Sequence, residues 1–137
     1  MRILDYYDID LKGKNVVVVG RSNIVGRPIS ILTSLKMNGA NGTTTICHSG
    51  TPDIAHHTRL ADIVIVALGV PGFLDKDMLK EGAIVIDVGI SKKNNKSYGD
   101  VDPLNTDEIL YARSPFPGGV GPITVSALYS NLAKLIS

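Results

Sequence analysis

Gly13-Lys14-Asn15-Val16-Val17-Val18-Val19-Gly20-Arg21-Ser22-Asn23-Ile24-Val25-Gly26-Arg27-Pro28 decides the fold. The run Val16 to Val19 is β-branched and wholly apolar, which suits a strand buried on both faces in a parallel sheet. Gly20 ends the run, and a polar turn carrying Arg21 and Ser22 follows. Gly26 and Pro28 then open an amphipathic segment. Proline fits the first turn of a helix, where its missing N–H costs nothing. Strand, phosphate-sized turn and helix start make the first unit of a nucleotide-binding α/β domain.

The rest of the chain repeats that alternation. Ile29, Leu32 and Leu35, with Ile31 nearby, predict an apolar helical face. The helix is expected to end near Gly39, because Asn38-Gly39 and Asn41-Gly42 are turn signals. Thr43 to Cys47 predicts a second strand, closed by His48-Ser49-Gly50. A short helical or irregular segment follows Thr51-Pro52-Asp53. Asp62 to Leu68 and Ala83 to Val88 predict a third and a fourth strand, broken by Gly69-Val70-Pro71-Gly72 and Gly89. Between them, Asp75 to Leu79 is at best a short helix. Ser91 to Ser97, rich in Lys and Asn, predicts an exposed loop or hairpin tip. Ser114 to Pro122, with three prolines and three glycines, predicts no regular structure. A last helix is expected over 123–136, with Val125, Leu128, Tyr129, Leu132, Leu135 and Ile136 on one face. Strands alternating with helices predict an α/β fold, a Rossmann-like, doubly wound, mostly parallel sheet flanked by helices. Ligands of such sheets bind at the carboxyl ends of the strands. Gly20-Arg21-Ser22, His48-Ser49, Gly69 to Gly72 and Gly89-Ile90 therefore converge on one rim.

Composition sets the outer bounds. A chain of 137 residues with 44% hydrophobic side chains is sized for one domain with a real core. A net charge of +1 gives no reason to expect nucleic acid or an anionic membrane as partner. No apolar run approaches the ~20 residues that span a bilayer. The N-terminus lacks the apolar region of a signal peptide. The single cysteine, Cys47, rules out an internal disulfide and suits a reducing compartment. Cytoplasm is the expected location, with an organelle reached through a removed transit peptide left open.

The turn after the first strand departs from the G-x-G-x-x-G fingerprint of dinucleotide sites. Its physics survives: helix N-terminal N–H groups favour an anion, and Arg21 adds a planar phosphate donor. A tight turn with a solvent arginine is the plain alternative. In NAD sites an acid near the end of the second strand accepts from the ribose hydroxyls. Here that place holds His48-Ser49, with no carboxylate before Asp53. Arg21, Ser22 and Ser49 together suit a ribose 2′-phosphate, which points to NADP. Cys47 reads as a small buried apolar residue and His48 as a capping or surface side chain. His48, His56 and His57 lack the spacing of a metal site, and no metal is expected. Ser22, Ser49 and Thr124 lack a general base, so no catalytic set is expected. Asp87, Asp100 and Asp102 are candidates for paired carboxylates, while Asp87 at a strand end reads as the organiser of a loop. Pro117 to Val125 lets backbone approach a ligand closely, or is simply a rigid turn.

Val19 to Pro28 and Pro117-Gly118-Gly119-Val120-Gly121-Pro122-Ile123-Thr124 resemble the two signatures of bifunctional methylenetetrahydrofolate dehydrogenase/cyclohydrolase. Cys47-His48-Ser49, Ala83 to Ile90 and Gly99-Asp100-Val101-Asp102 match the landmarks between them, in order. The resemblance implies that Gly20, Arg21, Ser22, Ser49 and Ile90 bind NADP, with Ile90 near the nicotinamide. It implies that Pro117, Gly118, Gly119, Val120, Gly121, Pro122, Ile123, Thr124 and Val125 border the site of a tetrahydrofolate derivative. It further implies a homodimer and a place in one-carbon metabolism and purine biosynthesis. Residues 1–12 match the helix and linker joining the family's two domains, and 13–137 the NAD(P)-binding domain. The family's catalytic tyrosine and lysine lie in an N-terminal domain that has no counterpart here. Tyr6 and Tyr7 sit in the linker, and no position takes over those roles. Asn38 to Thr43 is slightly long for the family, and Ser114 and Phe116 replace its usual threonine and valine.

Two other readings remain at this stage. One is a stand-alone nucleotide-binding or oligomerisation module without catalysis. The other is the cofactor domain of a shikimate-type dehydrogenase, against which the Pro117 to Pro122 signature argues.

Overall fold

A computed structural model describes residues 1–136 as a five-stranded parallel sheet with helices on both faces. Its strands are β1 (Asn15–Val19), β2 (Thr43–Cys47), β3 (Ile63–Val66), β4 (Ile84–Asp87) and a short edge strand over Ala112–Arg113. They lie in the order β2-β1-β3-β4-edge. The chain leaves β1 for β2 on one side and returns to β3 on the other. That reversal puts the switch point between the carboxyl ends of β1 and β3.

Alternation along β1 explains the two cores. Val17 and Val19 face one layer with Cys47, Val64, Val66, Leu74 and Val85. Val16 and Val18 face the other with Leu4, Leu11, Ile63, Ile65 and Ile86. A strand buried on both faces needs no polar side, which is why its sequence is an unbroken apolar run. Helix α1 (Arg2–Tyr6) lies over the second layer, pinned by the buried Leu4. Leu11 is buried in the same layer, so the segment before β1 is folded onto the sheet.

Helix α2 (Gly26–Ser34) packs differently from its expected apolar face. Its buried positions are Gly26, Ser30 and Thr33, a row of small residues that brings the helix close to the sheet. Thr33 Oγ1 lies 2.9 Å from Thr44 Oγ1 on β2, so this close approach keeps its polar atoms partnered. Ile29 is half-buried, while Ile31, Leu32 and Leu35 are exposed. The helix also ends at Ser34, well before Gly39, with Leu35 extended. Ser30, Thr33 and Ser34 all turn their hydroxyls back on helical carbonyls. Such residues weaken a helix end, and here they outweigh the later turn signals.

On the other face lie α3 (Ile54–Thr58) and a single 3-10 turn, Lys76–Met78. Ser91–Lys93 and Lys96–Tyr98 form an antiparallel hairpin, β5–β6, with Asn94 and Asn95 both left-handed at its tip. A two-residue turn with both central residues at positive φ is what such a hairpin requires. Helix α4 (Pro103–Thr106) precedes the edge strand, named β7. Helix α5 (Val120–Ile136) starts earlier than expected, so Val120 to Pro122 are helical rather than irregular. Pro122 still falls within the first turn, where N–H groups have no helical acceptor. No residue of α5 is buried, and its predicted apolar face stands exposed.

Candidate functional site

Close backbone packing builds the rim at the switch point. Gly20 donates its N–H to the Cys47 carbonyl at 2.8 Å and has φ 121°. A side chain there would be strained, and its Cβ would lie 2.5 Å from the Ala67 carbonyl oxygen of the neighbouring strand end. A Cβ on Gly26 would collide with the Gly20 carbonyl, so the start of α2 is pressed against the turn. Inside the turn, Ser22 Oγ accepts from Val25 N at 3.1 Å and Gly26 N at 3.3 Å. The Ser22 carbonyl takes the Arg27 N–H at 3.0 Å. Helix-start N–H groups expected to meet an anion are thus partly spent on Ser22. What the turn offers outward is the Ser22 hydroxyl proton and the Arg21 guanidinium.

Arg21 is exposed and faces no carboxylate among the described residues. Its Nη1 lies 3.5 Å from His48 Nε2, at the end of β2. Ser49 follows, exposed on the same turn. The nearest acid along the chain, Asp53, is occupied as the cap of α3, accepting from His56 N at 3.0 Å. The end of β2 therefore presents an imidazole and a hydroxyl beside Arg21, and no free carboxylate among the described residues. Cys47 is buried, and desolvation pushes its thiol above the usual range, so it is no nucleophile.

A pair of buried carboxylates organises the far half of the rim. Asp100 accepts from Leu68 N at 2.6 Å, Gly69 N at 3.0 Å and Val70 N at 2.7 Å. Asp87 accepts from Gly89 N at 3.0 Å, and from Asp100 N and Val101 N at 3.1 Å each. A Cβ on Gly89 would land in the Asp100 carboxylate, and one on Gly99 in that of Asp87. Burial raises the Asp87 carboxyl above the ordinary range; its backbone donors oppose this, and the neighbouring Asp100 charge adds to it. Asp102, by contrast, caps α4 through Leu104 N at 3.1 Å. The acids are loop organisers, as suggested for Asp87, and not an acid–base pair aimed at a ligand. Ile90 stands 61% exposed on the loop they hold, and Ser91 Oγ ties that loop to the Gly69 carbonyl at 2.6 Å.

The second signature lies along the other flank. Gly118 has φ 96°, and Gly119 is buried where a Cβ would strike the Pro115 carbonyl. Pro117, Gly121, Pro122, Thr124 and Val125 are exposed, Val120 is half-buried, and Ile123 sits at the boundary. Thr124 Oγ1 donates to the Val120 carbonyl at 2.9 Å. Ser114, just before the signature, accepts the Asp87 N–H at 2.8 Å and so fixes it to β4. Val120, Ile123 and Thr124 share an apolar cleft of about 400 Å³ with Ile24, Val25 and Pro28 of the first signature. Gly118, Gly119 and Ile123 also border a second cleft, with Tyr7, Ile9 and Arg113. Neither cleft is lined by Arg21, Ser22, Ser49 or Ile90, which stand exposed along the rim.

Sequence reasoning missed the Asp100 clamp and the fixed orientation of His48. Both depend on partners that spacing does not reveal, although Gly89 and Gly99 flank the acids as a trace of the crowding. His56 and His57 stack edge to face, and no group of three potential metal ligands converges among the described residues. No helix of the described residues is long and apolar enough to cross a membrane.

Comparison with known proteins covers the whole chain. The family described as tetrahydrofolate dehydrogenase/cyclohydrolase, NAD(P)-binding domain, matches residues 1–137. The bifunctional protein FolD of Sulfurihydrogenibium sp. is 50% identical over 135 residues, covering 98% of this chain and 46% of that protein. FolD of Aquifex aeolicus is 50% identical over 132 residues, covering 96% of this chain and 44% of its own length. Among solved structures, the bifunctional FolD dehydrogenase/cyclohydrolase of Campylobacter jejuni superposes with a TM-score of 0.92 at 44% identity, over 98% of this chain and 46% of that one. The Trypanosoma brucei enzyme, solved with NADP cofactor and inhibitor, gives a TM-score of 0.86 at 38% identity, over 96% of this chain and 46% of that one. The chain spans about half the length of the curated relatives it matches.

Proposed function

Because the chain belongs to the tetrahydrofolate dehydrogenase/cyclohydrolase family, as its NAD(P)-binding domain, we propose that it binds NADP at the rim of its sheet. Bound there, NADP would supply the acceptor for a hydride from a methylenetetrahydrofolate. The observation that carries this reading is the end of β2, where Arg21, His48 and Ser49 stand without a carboxylate. An acid there would accept from the hydroxyls of an unphosphorylated ribose; a guanidinium with hydroxyls and no carboxylate suits a 2′-phosphate. Arg21 supplies the charge, Ser22 and Ser49 supply hydroxyl donors, and Gly20 lets the dinucleotide approach the backbone. Ile90, apolar and exposed beyond β4, packs near the nicotinamide. Pro117 to Val125 border the folate.

The substrate oxidised in this way would be methenyltetrahydrofolate, which water would hydrolyse to formyltetrahydrofolate. The residues here bind, orient and exclude water. Among the described residues no group is placed to move the protons of either step. Those groups belong, in this proposal, to a catalytic domain facing the rim, joined through residues 1–12. The exposure of Arg21, Ser22, Ser49 and Ile90 supports that arrangement, since a second body is needed to cover a dinucleotide bound there. A cytoplasmic location, a homodimer and a supply of formyl groups for purine biosynthesis complete the reading. Membership of this family leaves no ground for the shikimate-type alternative. The exposed stripe of α5 gives a stand-alone association module its one specific support, and that module completes the same site with another chain.

Titration calorimetry of the 137-residue chain tests the proposal. NADP is expected to bind more tightly than NAD, and Arg21→Ala to weaken NADP at least about tenfold, as loss of a charged hydrogen bond does, with little effect on NAD. Equal affinities would remove the 2′-phosphate argument. The chain alone is expected to show no dehydrogenase turnover; robust turnover would mean that the catalytic groups lie within it.

A further inference from the structure

The contact between Arg21 and His48 cannot be an ordinary hydrogen bond. His48 Nδ1 accepts the Gly50 N–H at 3.0 Å. A neutral imidazole that accepts at Nδ1 carries its proton on Nε2. Nε2 is the atom 3.5 Å from Arg21 Nη1, and guanidinium nitrogens donate only. For Nε2 to accept from Arg21, the proton would have to sit on Nδ1, and the shorter contact to Gly50 would be lost. Two donors therefore face each other, and neither has another partner among the described residues.

The surrounding turn holds this arrangement. The His48 N–H is taken by Thr51 Oγ1 at 3.0 Å, and Thr51 N returns a bond to the His48 carbonyl at 2.8 Å. A Cβ on Gly50 would lie 3.1 Å from His48 Cε1 and 3.2 Å from Nδ1, so glycine is what lets the ring lie against this backbone. Ring position and tautomer are thus set by the protein before any ligand arrives. What the site lacks is an acceptor with several oxygens placed between imidazole and guanidinium. A phosphate monoester supplies it, and each charge-assisted bond is shorter and stronger than a neutral one.

We propose that His48 is a second protein donor to the ribose 2′-phosphate, its Nε2–H sharing that phosphate with Arg21, and that it sets the preference for a 2′-phosphorylated dinucleotide. The inference rests on the NADP reading above and adds a residue to it. His48 would otherwise be a structural part of its turn, so the test must separate the two roles. His48→Asn keeps a side-chain oxygen able to accept the Gly50 N–H, as in an Asx turn, but has no distal donor. His48→Gln reaches further and restores an N–H near the position of Nε2.

NMR titrations with 2′,5′-ADP and with 5′-AMP, which read weak binding, provide the measurement. The unchanged chain is expected to prefer 2′,5′-ADP. His48→Asn should weaken 2′,5′-ADP about tenfold, leaving 5′-AMP unchanged, and His48→Gln should recover most of the loss. Retention of full 2′,5′-ADP affinity in His48→Asn overturns the inference, as does an equal loss for both ligands. If the unchanged chain does not distinguish the two ligands, the 2′-phosphate site fails and the role of His48 fails with it. If Arg21→Ala abolishes the preference while His48→Asn leaves it intact, only the role of His48 is lost.

Discussion

Asp100 satisfies three successive N–H groups, of Leu68, Gly69 and Val70, with one carboxylate. Both oxygens must accept, so the side chain has to be a symmetric acceptor. Asp100→Asn replaces one oxygen by a buried NH2 that confronts a backbone N–H. The expected cost is about 1–3 kcal/mol, the penalty for a buried polar group left unpaired. Denaturant midpoints measure that cost, and amide exchange should show Leu68, Gly69 and Val70 losing protection first. Protection unchanged at these three residues would mean that the clamp does not hold the rim. Little of this was legible in the sequence, because Asp100 reaches back about thirty positions. The placement of Arg21, Ser22 and Ser49 at strand ends was easier to read, because the apolar runs before them mark where β1 and β2 stop. The orientation of His48 is intermediate, since Gly50 prints a hint of it and only the contact with the ring makes it readable.

At the scale of elements, β1 to β4 were legible, the two-residue β7 was not, and helices were less so. An unbroken β-branched run such as Val16 to Val19 has few other stable places to go, and β3 and β4 repeat the pattern. The register of α2 was not legible, because its contact with the sheet uses Gly26, Ser30 and Thr33. Small residues favour close packing, and an apolar periodicity count overlooks them. For α5 the pattern was read correctly and its burial was not: Leu128 and Leu132 are 69% and 54% exposed. A contiguous stripe of this kind marks an association surface. Changing both to lysine should leave the thermal midpoint unchanged and reduce self-association at high concentration, as read by light scattering. A clear drop in midpoint would show that α5 packs onto its own domain. In the association-module reading above, this stripe is the face that meets another chain, and β2 at the sheet edge is the other candidate contact for a homodimer.

The whole molecule is a rigid sheet with a shelf along one rim, and one of its residues can report on both. Cys47 is the last residue of β2, fully buried, directly before His48 and Ser49. Its thiol is the only one in the chain. A small thiol-modifying reagent can reach it only when the strand opens, so the rate of modification counts opening events. If β2 opens only with the whole domain, saturating NADP at about a hundred times its dissociation constant should slow modification by about a hundredfold. A rate that ignores NADP would mean that the edge strand frays by itself while the shelf stays assembled. One cysteine, placed where no chemistry uses it, thus gives a clock for the folded state and an occupancy gauge for the cofactor shelf in the same measurement.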